Sequence, residues 1–147
     1  AAGFLHITGR LKEQYKLENG KFVAPAPLEE KIAASTFIAS VFVHGLNRPH
    51  NVALVVPSFE DLRRWASEQQ LGDLSVEQLA GHPRVVEKLR AEIEERSVEF
   101  RSYEKIQNFA VIAENFTTAN GLLTASMKLK RRNVVEKYRE LIDSLYR

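Results

Sequence analysis

The sequence predicts an α+β fold: a small mixed sheet opened by an N-terminal β-hairpin, flanked by helices, with a helical insertion at about 58–103. Three observations carry this. Asn19-Gly20 separates two short strand-like runs, two β-branched apolar runs flank a polar turn in the middle of the first half, and apolar residues between 58 and 103 recur at spacings of three, four and seven.

Taken in order, Phe4-Leu5-His6-Ile7-Thr8-Gly9 alternates with no start signal of its own, as expected of a segment cut from a longer protein. The runs 14–17 and 21–23 join through Glu18-Asn19-Gly20, and Asn-Gly supplies the positive backbone angles of a tight hairpin turn. Pro27 suits the first turn of a short helix whose apolar face is Leu28, Ile32 and Ala33 and which ends near Ser35. The runs 39–44 and 51–56 are expected to be the central strands, joined through Gly45-Leu46-Asn47-Arg48-Pro49-His50. Beyond Ser58 the period becomes helical. Phe59, Leu62 and Trp65 share one face, which is expected to pack in the core. Val86, Leu89, Ile93 and Phe100 share another, with Glu87, Lys88, Arg90, Glu92, Glu94 and Glu95 outside. A strand over 108–116, a loop over 117–126 and a helix over about 131–146 complete the chain.

With 147 residues, 44% hydrophobic and 27% charged, the chain can bury one core and not two. It has no Cys, no N-terminal signal segment and no run near the roughly 20 apolar residues of a membrane span, which points to a cytoplasmic protein. The net charge is only +2, and Lys128, Lys130, Arg131 and Arg132 make a local positive spot rather than a nucleic-acid stripe. A glycine-rich phosphate loop, an HExxH motif and Cys/His metal spacing are all absent, and His6, His44, His50 and His82 are scattered, so no metal site is expected. A self-contained nucleotidase or metalloenzyme is not expected on that pattern. Asn115-Phe116-Thr117 matches a glycosylation sequon, coincidental in a chain with no signal segment.

Two segments remain. One runs from Ile7-Thr8-Gly9-Arg10-Leu11-Lys12 through Asn19-Gly20-Lys21-Phe22-Val23 to Leu28-Glu29; the other is Leu123-Thr124-Ala125-Ser126-Met127-Lys128-Leu129-Lys130-Arg131-Arg132. Together they resemble the two signature motifs of the C-terminal domain of adenylate-forming enzymes, in the version of long-chain fatty acyl-CoA synthetases. The resemblance spans nearly the whole chain. One departure is Ala125, where many relatives carry Pro, which implies a less rigid loop before Lys128.

The resemblance implies that residues 1–147 are a mobile C-terminal domain whose partner, an N-terminal adenylation domain binding ATP and the acyl group, is absent. It implies a reaction in which ATP, with Mg2+, and a fatty acid give an acyl-adenylate, and CoA then takes the acyl group; the isolated domain is expected to be inactive. Lys128 would be catalytic: an ammonium aimed at the approach of a carboxylate to the α-phosphate offsets the repulsion of two anions. Arg10 would contact the nucleotide, a guanidinium being suited to bidentate anion contacts. Lys12 would be the hinge, and Asn19, Gly20 and Lys21 would face the CoA channel. No nucleic-acid partner is implied, and peripheral membrane association of the parent enzyme is compatible with it. Two other readings use the same residues: a ligase that loads carrier protein or stops at the acyl-adenylate, and a freestanding interaction module whose basic spot docks an acidic partner.

Overall fold

The computed structural model describes residues 13–147, so the expected strand over 4–9, Arg10 and Lys12 lie outside the described residues. The fold is α+β. Strands β1 (Tyr15–Lys16) and β2 (Phe22–Val23) pair antiparallel as a hairpin. Its turn runs through Glu18-Asn19-Gly20 as expected, but only one residue of Asn19-Gly20 takes a positive backbone angle. Gly20 N–H donates to the Leu17 carbonyl at 2.9 Å and Leu17 N–H to the Lys21 carbonyl at 2.8 Å. Gly20 alone turns left-handed, at φ 89, closing a three-residue loop. Asn19 stays at negative φ because its side chain is used instead: Oδ1 accepts the Lys21 N–H at 2.9 Å.

Helix α1 (Pro25–Ala33) starts on proline and buries Leu28, Glu29 and Ile32. Strand β3 (Ile38–His44) then pairs antiparallel with β4 (Asn51–Pro57), and β4 pairs in parallel with β5 (Ile106–Val111), in the order β3-β4-β5. A parallel pair needs a crossover, and helices α2 (Phe59–Glu68), α3 (Val76–Gly81) and α4 (Pro83–Arg96) supply it. Among the described residues only β4 is central, and β3, expected to share that place, is an edge strand.

Every residue of β4 is buried because both faces of the sheet are covered. Ala53 and Val55 point to a core with Leu28, Leu62, Leu79, Leu89 and Ile93, where Trp65 and Phe59 also pack. Val52, Leu54 and Val56 point the other way, to Phe116, Val134 and Ile142. The 58–103 region is thus the cover of one sheet face. On α4 the buried line is Val85, Leu89 and Ile93, with Val86 only half-buried beside it. Glu92, expected outside, turns inward: Oε1 accepts the Ser35 hydroxyl at 2.6 Å, and Lys88 and Arg96 flank it, holding the carboxyl below its usual range although burial opposes this.

The last strand ends at Val111, earlier than the expected 116, and begins at Ile106, earlier than 108. Ile112 N–H still donates to the Val55 carbonyl at 2.9 Å, and Ile112 and Phe116 continue the apolar pattern by packing under the C-terminal helices. Those are α5 (Arg131–Lys137) and α6 (Arg139–Ser144), where one continuous helix was expected. Tyr138 breaks them at φ −110, ψ 24, and its hydroxyl donates to Glu114 at 2.8 Å. The terminus is held to the β3–β4 turn. Tyr146 donates to the His50 carbonyl at 2.8 Å, Arg48 lies over the Tyr146 ring at 4.6 Å, and Arg48 pairs with Asp143.

The first hairpin is held to the β3–β4 turn by Glu18 N–H donating to the Arg48 carbonyl and Asn47 N–H to the Lys16 carbonyl, both at 2.9 Å, and is pinned further at one crowded point. Asn51, fully buried, accepts the Tyr15 hydroxyl and donates Nδ2 to the Glu104 carbonyl at 2.8 Å. A Cβ on Gly45 would stand 2.2 Å from Asn51 Oδ1 and 3.0 Å from both Leu17 and Tyr15 side chains. Gly45→Ala is therefore expected to cost about 2–3 kcal/mol in urea unfolding, from overpacking and a displaced buried hydrogen bond. Gly81→Ala, whose Cβ would meet nothing within 4 Å, is expected to be neutral in the same measurement.

Candidate functional site

Lys128 sits on a hairpin of the same construction as the first. Leu123 and Leu129 form an antiparallel bridge. Between them Met127 N–H donates to the Thr124 carbonyl at 2.9 Å and Thr124 N–H to the Lys128 carbonyl at 2.8 Å. Met127 occupies the left-handed position, φ 67, that Gly20 occupies in the other loop. Lys21 and Lys128 are thus equivalent: each follows the left-handed residue and closes the turn. Ala125 is the first central residue of this turn, a position that favours proline in a type I turn. Without proline, Thr124 braces the loop, its Oγ1 accepting the Lys128 N–H at 3.1 Å and lying 3.0 Å from Ser126 Oγ. Lys128, Lys130 and Arg132 are exposed.

Arg131 does not belong to that solvated spot. Its Nη1 and Nη2 donate to Glu29 Oε2 and Oε1 at 2.8 and 2.7 Å, a bidentate pair. Glu29 is 7% exposed, and its Oε2 also accepts the Val43 N–H at 2.8 Å. Val43 lies on β3, whose outer edge has no strand partner among the described residues, so the carboxylate satisfies a ladder donor that burial would leave unpaired. Burial works against the Arg131 charge, but the Glu29 hydrogen bonds and charge outweigh it and hold the guanidinium above its ordinary value. Arg131 also faces the Phe42 ring at 5.8 Å. Glu29 lies eight residues after Lys21 and Arg131 three after Lys128, so the pair ties the roots of the two lysine hairpins. Sequence reasoning placed Glu29 at the end of the first motif without a partner for it. A carboxylate on the helix face shared with Leu28 and Ile32 was the available signal.

Between the first hairpin, the end of β3 and α5 lies a groove of about 470 Å³, lined among others by Glu13, Tyr15, His44, Leu129, Arg131 and Arg132. It opens beside Glu13, the residue that follows Lys12 in the chain. Inside it His44 is pushed down to about 4 by burial and by Arg48, against the pull of Asp143, and is neutral at pH 7. On the other hairpin, Gly20 meets nothing within 4 Å of where a Cβ would stand, and the Lys21 ammonium lies 5.5 Å over the Tyr103 ring at the exit of the helical region. The hydrogen bonds and contacts of the described residues do not bring Lys128 to Asn19, Gly20 or Lys21; the link between these loops runs through Glu29 and Arg131. Among the described residues there is no group of three or more His, Cys, Asp or Glu able to hold a metal ion, and no helix is long and apolar enough to cross a membrane.

Removing Arg131 strands a buried carboxylate, whereas neutralising Glu29 leaves a guanidinium that can reach water. Arg131→Ala is expected to lower the unfolding free energy by about 3 kcal/mol and Glu29→Gln by about half that. Urea unfolding of the two variants checks the order. For His44, the folded value lies below the ordinary 6.5, so its contribution is complete above that pH and is lost as pH falls towards 4. Stability should therefore fall between pH 6.5 and about 4 by up to about 1.4 kcal/mol per pH unit, and His44→Gln should flatten that limb in denaturation curves taken across the window.

The profile of the AMP-binding enzyme C-terminal domain matches residues 12–147. A long-chain-fatty-acid–CoA ligase of Mycobacterium tuberculosis is 34% identical over 98% of this chain and 24% of its own length. Long-chain-fatty-acid–CoA ligase 1 of Cavia porcellus is 33% identical over 98% of this chain and 21% of its own. The chain thus spans about a quarter or less of the length of these curated relatives. Among solved structures, the A domain of a carboxylic acid reductase from Segniliparus rugosus, in complex with AMP and a co-purified carboxylic acid, aligns with TM-score 0.73 at 28% identity, covering 93% of this chain and 20% of that one. The A-PCP didomain of a carboxylic acid reductase from the same organism, in complex with AMP, aligns with TM-score 0.72 at 28% identity over 92% of this chain and 17% of that one. The chain belongs to the AMP-binding enzyme C-terminal domain family.

Proposed function

We propose that this chain is the mobile C-terminal domain of an AMP-forming long-chain fatty acid–CoA ligase, working with a preceding adenylation domain that holds ATP, Mg2+ and the fatty acid. The observation that carries this reading is the pair of equivalent lysine hairpins tied at their roots by Glu29 and Arg131. One rigid body then presents two different loops, and rotation about Lys12 would exchange them.

In the first step Lys128 enters the partner's site. A carboxylate oxygen attacks the α-phosphorus, pyrophosphate leaves, and the ammonium stabilises the charge gathered around the phosphorus. Arg10 would hold the nucleotide during this step. In the second step the loop of Asn19, Gly20 and Lys21 replaces it. The CoA thiolate adds to the acyl carbonyl and AMP leaves, with the bare backbone at Gly20 leaving room for the pantetheine arm. Peripheral contact of the parent enzyme with membranes, where its acyl substrate partitions, belongs to the same reading.

A second reading changes only the acceptor. One structural neighbour carries its A domain joined to a PCP domain, which favours a carrier protein as the acyl acceptor. Product analysis with CoA against carrier protein separates the two.

Lys128→Ala in the parent enzyme is expected to slow adenylation, followed as ATP–pyrophosphate exchange, by about 100- to 1,000-fold. Transfer to CoA from preformed acyl-adenylate should change by no more than a few-fold. Equal losses in both half-reactions would remove Lys128 from its proposed role.

A further inference from the structure

The first hairpin has two faces, and only one of them is used by the fold. Tyr15 and Val23 are cross-strand partners turned inward: Val23 is 1% exposed, and the Tyr15 hydroxyl reaches Asn51. Lys16 and Phe22, the next pair, are turned outward. Phe22 is 61% exposed, and the Lys16 ammonium lies 5.8 Å from the centre of its ring. A single exposed aromatic is ordinary on a protein surface. This one lies on a paired strand, carries a cation at its ring, and adjoins Lys21 and the open space at Gly20. Against these two lysines the hairpin sets one acid, Glu18, at the start of its turn.

An aromatic plane beside lysines suits a ligand that has a flat heteroaromatic base and several phosphates. We propose that Phe22 and Lys16 seat the nucleotide end of CoA, the adenine stacking on the Phe22 ring and Lys16 meeting the phosphates, while the pantetheine arm runs past Gly20 towards the reacting carbonyl. The inference rests on the proposed CoA ligase reading and adds the residues that hold the end of CoA farthest from the chemistry. Stacking of a base on an aromatic side chain is worth about 1–3 kcal/mol. On a surface this exposed, the lower end of that range applies, about 5- to 20-fold in affinity.

The test uses the parent enzyme with Phe22→Ala, Lys16→Gln and Phe22→Trp. Phe22→Ala should raise KM for CoA about 5- to 20-fold, Lys16→Gln should raise it less, and Phe22→Trp should keep it near the starting value. Turnover with pantetheine, an acceptor that lacks the nucleotide, should be the same in all of them, as should ATP–pyrophosphate exchange. An unchanged KM for CoA in Phe22→Ala overturns the proposal. So does an equal loss with pantetheine, or a parallel loss of exchange, which would make Phe22 a contact for the preceding domain. If the unsubstituted enzyme transfers no acyl group to CoA, the ligase reading itself fails, and this inference falls with it, on a control that involves no variant.

Discussion

The fold turns on the Glu29–Arg131 pair. A carboxylate at 7% exposure needs partners for its charge, and it has them on two sides: the guanidinium fork, and the Val43 N–H on the open edge of β3. Three elements distant in sequence therefore meet at one side chain. Helix α1 supplies the acid, β3 the amide, and the start of α5 the base. Such a pair adds little to stability compared with a well-packed apolar substitute, because desolvating both ions offsets much of their attraction. What it adds is geometry. Two parallel N–H···O bonds allow one approach, and that approach sets where α5 begins and so where the Lys128 hairpin projects.

The sheet imposes the second constraint. A parallel β4–β5 pair cannot be closed by a hairpin, so a long crossover is unavoidable, and here it is three helices. Those helices cover one face with Leu62, Leu79, Leu89 and Ile93. The opposite face is left to the segment that carries Lys128 and to α5 and α6, through Leu123, Val134 and Ile142. Burying each such side chain contributes about 1.5–3 kcal/mol, so the lysine hairpin is rooted in the core although its tip is in solvent. The helical region packs on α1 through Leu89 and Ile93, and meets the first hairpin at its exit. There Tyr103 lies under Lys21, and the Glu104 carbonyl receives Asn51.

Much of this was legible in the residues because local pattern and tertiary role agree. The runs ending at His44 and Pro57 are β-branched and flank a polar turn, and they pair as expected. Trp65 and Leu62 keep helical spacing and pack in the core. The misses fall where a long-range partner overrides the local signal. Glu92 reads as one acid among several on a polar face, yet Ser35 and Arg96 draw it inward. Arg131 reads as one of four exposed cations, yet Glu29, 102 residues away, removes it from the set. Apolar alternation after Val111 reads as strand, but a period of two does not say whether the backbone still has a neighbour to pair with. The break at Tyr138 leaves the helical period intact and falls at a residue whose hydroxyl reaches Glu114, 24 residues earlier.

The two lysine loops show how one backbone solution can serve two purposes at different conformational cost. Both are three-residue turns that end on a left-handed residue. In the first loop that residue is Gly20, which takes the conformation freely and leaves the space around it empty. In the second it is Met127, 69% exposed, for which the same angles cost about 1–2 kcal/mol. A strained residue next to Lys128 persists only if its surroundings hold it there. Those surroundings are the Leu123–Leu129 bridge, the Thr124 side chain and, three residues on, the anchored Arg131. On the proposed reading the difference suits the two tasks. A loop that must let a flexible cofactor arm slide past gains from a residue with no side chain. A loop that must aim one ammonium gains from restraint on either side of it.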